Sequence, residues 1–341
     1  MKPQVDASKR DRDRSFRTRN SKLETRNSKL GIGLVGCGRV GTATALGLKQ
    51  AGHRIVWVKD IDPKAERKAE HLLLRRQRAR SKEQRAKTPL AVDVILIATP
   101  DSQIAAASRE IADSLSPSQT VVHFSGALTS QTIQNPKSKI QNPGVLALHP
   151  VMTFPKCGIR VSTTKSPRHQ GARKERIDGN RWESVDGVTT ECGIPKGTYF
   201  SLEGNRKGLD VGKRLVRDLG GRAFVVRAED KPLFHAACVF VSNFLDALVD
   251  AGIELCKEVG IERAMAYRVL EPLIQQTLKN IAKQDTAQAL SGPIERGDVD
   301  TVRKHLAAIT RRRPELVQLY EALAGQTLAL AARKLRGRKR Q

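Results

Sequence analysis

The sequence predicts an α/β fold in which a doubly wound sheet is followed by an all-helical C-terminal domain. Two observations lead to this prediction. Up to residue 228, short aliphatic runs alternate with amphipathic helical patterns, as in chains that build βαβ units. From Glu229 onward the strand patterns stop and long helical patterns take over. The chain has 341 residues, enough for two domains with separate cores. We expect the sheet domain over 31–228 and the helical domain over 229–335.

Each strand of the sheet domain is predicted from a short apolar run bounded by turn residues. The predicted strands cover residues 31–35, 54–59, 93–98, 120–124, 145–149, 198–203 and 223–227. Amphipathic spacing predicts helices after several of them, at 40–51, 102–115 and 209–219. In the second domain, helices are predicted over about 230–257, 262–283, 298–310 and 313–334. Asp298 is placed to cap the third of these.

A glycine-rich turn joins the first predicted strand to the first predicted helix. Gly36, Gly38 and Gly41 have the GxGxxG spacing of a Rossmann-type dinucleotide site. There the first glycine permits a tight turn, the second lets the backbone approach a pyrophosphate, and the third lets helix and strand pack closely. The helix N-terminus then faces the phosphates. The predicted contacts of this loop with a cofactor involve Gly36, Cys37, Gly38, Arg39, Val40 and Gly41.

Asp60 ends the second predicted strand, about 20 residues beyond the glycines, where a ribose hydroxyl is usually held. Ordinary turn glycines would not explain this spacing. The charge of Asp60 favours NAD, because it would repel a 2′-phosphate. Lys59, Lys64 and Arg67 lie close by in sequence and could receive that phosphate instead. The predicted cofactor is therefore NAD or NADP, with the preference left open.

The net charge of +26 is concentrated in a few segments, at 1–30, 61–90, 156–196 and 333–341. We predict a disordered basic tail over 1–30, a second basic tail over 336–341, and a disordered insertion over 156–196, which lacks periodicity. Basic tails can bind nucleic acid, and a nucleic-acid-associated protein is one rival interpretation. No helix-turn-helix, zinc-finger or aromatic stacking motif accompanies them in the sequence, so we expect no specific nucleic-acid partner.

The five cysteines lack metal-ligand spacing, and their odd number favours a reducing compartment. No signal-peptide pattern is visible, and no uninterrupted apolar run reaches the length of a membrane span. We therefore expect a cytoplasmic protein with no membrane partner and no metal.

Six motifs together resemble a known group of proteins. They are GLVGCGRVGTA (33–43), DVILIATPDSQI (93–104), VVHFSGAL (121–128), LHPVMTF (148–154), KPLFHAACVFVSNFL (231–245) and ALSGPIERGD (289–298). Over residues 31–335, outside the inserts, the chain resembles Rossmann-like oxidoreductases with a C-terminal domain of unknown function. These belong to the 6-phosphogluconate dehydrogenase C-terminal-like superfamily, with pyrroline-5-carboxylate reductases, prephenate dehydrogenases and β-hydroxyacid dehydrogenases as relatives. The resemblance implies an NAD(P)-dependent dehydrogenase that acts by hydride transfer on a small carbonyl, hydroxy or imine substrate, which we expect to be anionic.

Ligands of open α/β sheets bind beyond the carboxyl ends of the strands, which directs attention to the residues there. Ala98, Thr99 and Pro100 are predicted to lie against the nicotinamide side of the cofactor, although Thr99 could equally be a turn or capping residue. The predicted substrate pocket includes Ser125, Gly126 and His149. Ser125 and Gly126 could instead only shape a turn. His149 precedes a proline, as does the histidine of the HPM motif in prephenate dehydrogenases. His123 lies within an apolar strand and is at least as well explained as a core histidine.

Lys231 and His235 are four residues apart and so share one face of a predicted helix, with Asn243 near that face. In β-hydroxyacid dehydrogenases a lysine and an asparagine four residues later serve as general acid and substrate ligand. Lys231 matches the lysine, whereas His235 replaces the asparagine. By this resemblance Lys231 is the predicted proton donor, His235 an orienting group and Asn243 part of the substrate pocket. The alternative is a solvated lysine beside a packed histidine.

The resemblance also implies a homodimer formed through the helical domain. A second rival interpretation keeps the dinucleotide site but not the reaction. In that case the protein is a regulator that senses NAD(P) levels, and it would bind the cofactor tightly without hydride transfer.

Overall fold

The computed structural model describes residues 29–74, 92–133, 143–154, 159–161, 183–185, 188–190 and 193–338. Most of the predicted N-terminal tail and residues 339–341 lie outside this range. The chain divides into two compact units, Met1–Cys238 and Val239–Gln341.

The first unit contains a seven-stranded sheet. Its strands are β1 (Gly31–Val35), β2 (Arg54–Lys59), β3 (Val94–Ile97), β4 (Thr120–His123), β5 (Gly144–Pro150), β9 (Tyr199–Gly204) and β10 (Arg222–Val225), in the spatial order β10-β9-β5-β4-β3-β1-β2. All neighbours are parallel except β5 and β9, which are antiparallel. The predicted strands are present with small shifts at their ends, and the predicted doubly wound sheet is confirmed.

Among the described residues, the helices that accompany this sheet are α1 (Arg39–Gln50), α2 (Pro63–Leu73), α3 (Asp101–Ala112) and α4 (Arg206–Asp218). Local sequence explains where two of them begin. Asp62 caps α2 by accepting a hydrogen bond from the Lys64 amide, with Pro63 at the first helical position. Asn205 caps α4 in the same way.

The sheet is buried on both faces. Within β3, Val94 and Leu96 belong to one hydrophobic cluster, and Ile95 and Ile97 belong to another. Because successive side chains of a strand point to opposite faces, the strand carries a core on each side. This burial explains why the strand sequences are continuously apolar rather than alternating.

The structure corrects the prediction for part of the segment 156–196. Three short strands, β6 (Ile159–Val161), β7 (Glu183–Val185) and β8 (Val188–Thr190), form an antiparallel sheet in the order β6-β8-β7. Each strand has only three residues, too short for alternation to be visible in the sequence. Residues 155–158, 162–182, 186–187 and 191–192 lie outside the described residues.

The remaining helices in the part of the chain that the structure describes are α5 (Lys231–Val241), α6 (Asn243–Glu258), α7 (Arg263–Gln284), α8 (Thr286–Ala289), α9 (Pro293–Arg296), α10 (Val299–Arg312) and α11 (Val317–Arg338). The C-terminal region is helical, as predicted. The first predicted helix is in fact two, because Ser242 adopts φ −122° and ψ −79°, outside the helical region. Asp298 caps α10 through the Thr301 amide, as expected. The last helix extends through Arg338, into the predicted basic tail.

One stretch among the described residues, 228–258, is long and apolar enough to cross a membrane when only length and composition are considered. The uninterrupted apolar run within it is shorter, because Asp246 falls inside. A single stretch of this kind is weak evidence for a membrane span.

Candidate functional site

The glycine loop between β1 and α1 packs tightly on the end of β3. Gly36 has φ +89°, and a Cβ at this position would lie 2.6 Å from the Ala98 carbonyl oxygen. A Cβ at Gly41 would collide with the Gly36 carbonyl oxygen and lie 2.8 Å from Ala98 Cβ. Both positions therefore require glycine, the first also for its left-handed backbone.

Gly38 differs from its two neighbours in the motif. A Cβ built there would meet no atom within 4 Å, so protein packing does not require glycine. Gly38 is also the N-cap of α1, and it has no side chain to satisfy the first amides of the helix. An open space in front of a helix N-terminus suits a pyrophosphate. Arg39 follows at the first helical position, where it is exposed, and Val40 is half-buried.

Asp60 is joined to this loop by hydrogen bonds to backbone amides. Its Oδ2 accepts from the Cys37 amide at 2.5 Å, and its Oδ1 accepts from the Asp62 amide at 2.8 Å. The carboxylate predicted to hold a ribose thus lies directly beside the predicted pyrophosphate site. The Cys37 thiol is buried, and burial, followed by the charges of nearby carboxylates including Asp60, raises its pKa to about 12.

Thr99 lies next to the loop, since its amide nitrogen would be 2.8 Å from a Cβ at Gly36. Its Oγ1 is buried without a hydrogen-bond partner among the described atoms. The N-cap of α3 is Pro100, so the Thr99 hydroxyl is not a capping group. A buried hydroxyl without a partner is costly, and a bound ligand would relieve that cost. Gly38 and Thr99 therefore both fit a dinucleotide along this edge.

Ser125 connects the ends of β3 and β4. Its hydroxyl donates to Asp101 Oδ2 at 2.7 Å and accepts from the amides of Ala127 and Leu128 at 3.2 and 2.9 Å. These bonds support a turn-shaping role, and the predicted contact of Ser125 with substrate stays a prediction. Asp101 was not predicted as a site residue. The signal available in the sequence was a carboxylate immediately after Ala98, Thr99 and Pro100.

His123 is fully buried and held in one neutral tautomer. Its Nδ1 accepts from the Ser125 amide at 3.2 Å, so Nε2 carries the hydrogen and donates to the Thr129 carbonyl at 3.0 Å. Burial lowers its pKa to about 4. These contacts agree with the interpretation of His123 as a core histidine.

Gly126 lies between two histidines. The ring centroids of His149 and His235 are 5.6 Å apart, and the two rings are nearly perpendicular. A Cβ at Gly126 would be 3.1 Å from His149 Nε2 and would collide with His235 Cδ2. His149 Nδ1 lies 3.3 Å from the Phe124 carbonyl, which can only accept, so Nδ1 carries the hydrogen and Nε2 has the lone pair of the neutral ring. Burial lowers the pKa of His149, which favours this neutral form.

Lys231, at the start of α5, is 1% exposed, and its Nζ donates to the Ser125 carbonyl at 3.3 Å. Burial lowers its pKa, while the charges of Glu203 and Asp101 act in the opposite direction. Glu203 is itself buried on β9 and accepts from the amide and the hydroxyl of Ser130 at 2.6 and 2.8 Å. Sequence reasoning missed Glu203, since no local pattern links it to a lysine 28 residues away along the chain.

These contacts form a continuous path along the carboxyl edge of the sheet. The glycine loop contacts Ala98 and Thr99, Asp101 binds Ser125, and Gly126 touches His149 and His235. The path follows the strand order β1-β3-β4-β5.

Asn243 belongs to the second unit, where it begins α6 and is exposed, and its predicted place in the pocket stays a prediction. Among the described residues, no group of three or more His, Cys, Asp or Glu side chains could hold a metal ion.

Three solved structures share this fold over most of the chain. A candidate NADP oxidoreductase from Bacteroides fragilis has a TM-score of 0.63 at 19% identity, covering 88% of this chain and 98% of its own. A semialdehyde dehydrogenase NAD-binding protein from Cupriavidus necator, in complex with calcium and NAD, has a TM-score of 0.52 at 15% identity, covering 86% and 99%. A pyrroline-5-carboxylate reductase from Coxiella burnetii has a TM-score of 0.51 at 14% identity, covering 90% and 99%. At such identities the likeness establishes the fold.

Two family models match the chain. A Rossmann-like domain matches residues 16–150, and the domain of unknown function DUF2520 matches residues 198–327. No curated protein matches the chain. The chain therefore combines a Rossmann-like domain with a C-terminal DUF2520 domain, the pairing that its motifs resemble.

Proposed function

We propose that the protein is an NAD(P)-dependent oxidoreductase that transfers a hydride to or from a small carbonyl, hydroxy or imine substrate. One observation carries the proposal. An open glycine loop and a buried cluster of ionisable side chains lie along the same edge of one sheet, connected by direct contacts. The names of the structural neighbours, which include reductases and dehydrogenases, support the same reaction class.

The cofactor would occupy the glycine loop. Gly38 and the N-terminus of α1 would face its pyrophosphate, Asp60 its adenosine ribose, and Thr99 its nicotinamide side. When bound, the nicotinamide would supply or accept the hydride. In this arrangement the Thr99 hydroxyl would gain the hydrogen-bond partner that the protein itself does not provide.

The chain's own residues would handle the proton that accompanies hydride transfer to a carbonyl or imine. Lys231 is the proposed donor, because burial lowers its pKa and makes its ammonium a better acid than an exposed lysine. His235 would orient the substrate. His149, with an unprotonated Nε2 beside Gly126, would accept a hydrogen bond from a substrate hydroxyl.

The enclosure of Lys231 limits how a substrate could approach it. Only 1% of this residue is exposed, so the proposal requires the reacting atom to approach beside Gly126, and because the space there is too small even for a Cβ, a histidine ring has to move as the substrate enters. The local charge around Lys231 is not simply positive, because the carboxylates of Glu203 and Asp101 lie close enough to raise its pKa against the effect of burial. We keep an anionic substrate as part of the proposal, and the substrate screen should include neutral imines as well as oxo acids.

The first test is calorimetric titration of the protein with NADH and NADPH. Gly38→Asp should abolish binding without disturbing the fold, because its side chain enters open space where the pyrophosphate would lie. Gly193→Asp is the matched control, since a Cβ there also meets no atom within 4 Å, and it should bind normally. Failure of the native protein to bind either nucleotide would overturn the proposal.

The second test is a screen of oxo acids and imines that follows the absorbance of the reduced cofactor. A substrate that the native protein turns over and Gly38→Asp does not would support the oxidoreductase proposal. Tight binding with no turnover across the screen would instead favour the NAD(P)-sensing regulator.

We also propose that the protein forms a homodimer through its helical unit. Large apolar side chains there are more than half exposed, including Phe240, Val241, Phe244, Leu273 and Leu328. Exposed apolar surface on this scale is typical of an interface, and identical subunits most often pair by twofold symmetry.

A cytoplasmic location is also part of the proposed function, supported by the odd number of cysteines.

A further inference from the structure

The turn between β2 and α2 bears on which nucleotide the proposed site prefers. Asp60 is held there in a defined position, because each of its carboxylate oxygens accepts from a different backbone amide. One of these amides belongs to Cys37, inside the glycine loop. The carboxylate therefore cannot be removed from the edge of the dinucleotide site without losing two hydrogen bonds.

Glu66 adds a second carboxylate to the same turn. Its Oε2 accepts from the Asp60 amide at 2.9 Å, so it lies against the backbone of the residue predicted to hold the ribose. The effect of these charges reaches the loop. Asp60, Glu66 and Glu70 each raise the pKa of the Cys37 thiol, in that order, after the larger effect of burial. The electrostatic field at the glycine loop is therefore negative from several carboxylates, not from Asp60 alone.

The basic side chains expected to counter this negative charge contact other groups or are exposed to solvent. Lys59 extends to Glu110, with its Nζ 2.8 Å from Glu110 Oε2. Arg39 donates through Nη1 to the Phe154 carbonyl at 3.3 Å. Lys64 and Arg67 are exposed on α2, where water and salt screen their charge. A 2′-phosphate carries about two negative charges and would meet fixed carboxylates before it met a fixed cation.

We propose that Asp60 and Glu66 together make the site selective for NAD(H) over NADP(H), with Glu66 acting as a specificity-determining residue that also positions Asp60. This inference rests on the proposed dinucleotide site. It adds to that site a nucleotide preference and a residue that the GxGxxG pattern does not include.

The test is the ratio of NADPH to NADH dissociation constants, measured by calorimetry on the full chain. The native protein should bind NADH at least about tenfold more tightly. Glu66→Gln keeps a carbonyl oxygen to accept from the Asp60 amide but removes the charge, and should shift the ratio toward NADPH by about three- to tenfold. The matched control is Asp210→Asn on α4, which also removes one carboxylate charge but from an exposed position on another helix, and it should leave the ratio unchanged.

The outcomes separate this inference from the proposed function. Tighter binding of NADPH than of NADH by the native protein would overturn the inference and leave the oxidoreductase proposal standing. An unchanged ratio in Glu66→Gln would overturn the role of Glu66. Binding of neither nucleotide would overturn both proposals. Raising the salt concentration should weaken the native preference, since screening reduces the repulsion.

Discussion

The ammonium of Lys231 donates to the backbone carbonyl of Ser125 at 3.3 Å, although Lys231 is almost completely enclosed. The contact joins the start of α5 to the loop after β4. A charged group in such a place is costly unless it is compensated, and the nearby carboxylates of Asp101 and Glu203 supply compensating charge. The burial of a lysine at this edge of the sheet makes it the strongest candidate for proton transfer.

Replacing Lys231 by methionine should remove the proton donor while keeping most of the buried volume. We expect kcat to fall by roughly 10²- to 10⁴-fold on any substrate found, with little change in the dissociation constant of NADH. The matched control is Lys334→Met, which removes another largely buried lysine, held by the Leu290 carbonyl and Glu295. Both variants should lose stability, by about 1–3 kcal/mol, but only Lys231→Met should lose turnover. Equal kcat in the two variants would contradict the assignment.

His123 should make the protein less stable in acid. Its pKa is lowered to about 4 in the folded state from about 6.5 when unfolded, so the unfolded chain binds the proton first as pH falls. The contribution of neutral His123 to the free energy of unfolding should therefore be fully present above about pH 6.5. It should decline by up to about 3 kcal/mol as the pH drops toward 4. Urea unfolding at several pH values measures this. His123→Gln, which can still donate to the Thr129 carbonyl, should flatten the profile, and an unchanged profile would argue against His123 as its source.

Gly126→Ala should disturb the histidine pair. The added methyl group would collide with His235 Cδ2 and press on His149 Nε2, so at least one ring must move. We expect a loss of about 1–3 kcal/mol in stability and a marked drop in kcat. Binding of NADH, which depends on the glycine loop, should be largely kept. Urea unfolding, steady-state kinetics and calorimetric titration check the stability, kcat and NADH binding in turn, and full turnover in this variant would remove Gly126 from the proposed pocket.

Phe244→Glu should abolish the proposed homodimer. The side chain is 52% exposed in the second unit and contacts Phe240, with ring centroids 5.1 Å apart. A charge inside an apolar interface has no compensating partner, which disfavours association. Light scattering should report a dimer for the native protein and a monomer for the variant. Glu321→Gln, on an exposed part of α11, serves as a control that should stay dimeric. A native protein that is strictly monomeric would contradict the proposal.

Much of the fold could be predicted because its signals are local. The strands of the main sheet and the helices between them follow from apolar runs and amphipathic spacing, and the predicted ends differ from the observed ones by a few residues at most places. The failures have equally local causes. The break at Ser242 directly follows residues 236–241, which are apolar at every position, so periodicity carries no signal there, and strands β6 to β8 are too short to show alternation.

By itself the sequence determined that a glycine loop, a strand-end acid and a helical C-terminal region would be present, because each depends on residues close together along the chain. Only the tertiary structure decided which of these residues meet. Glu203 acts on Lys231 from a different strand, Ser125 is tied to Asp101, and the carbonyl of Phe124 selects the tautomer of His149. Those contacts join residues brought together by strand order, and strand order is set by the packing of the whole sheet rather than by any local pattern.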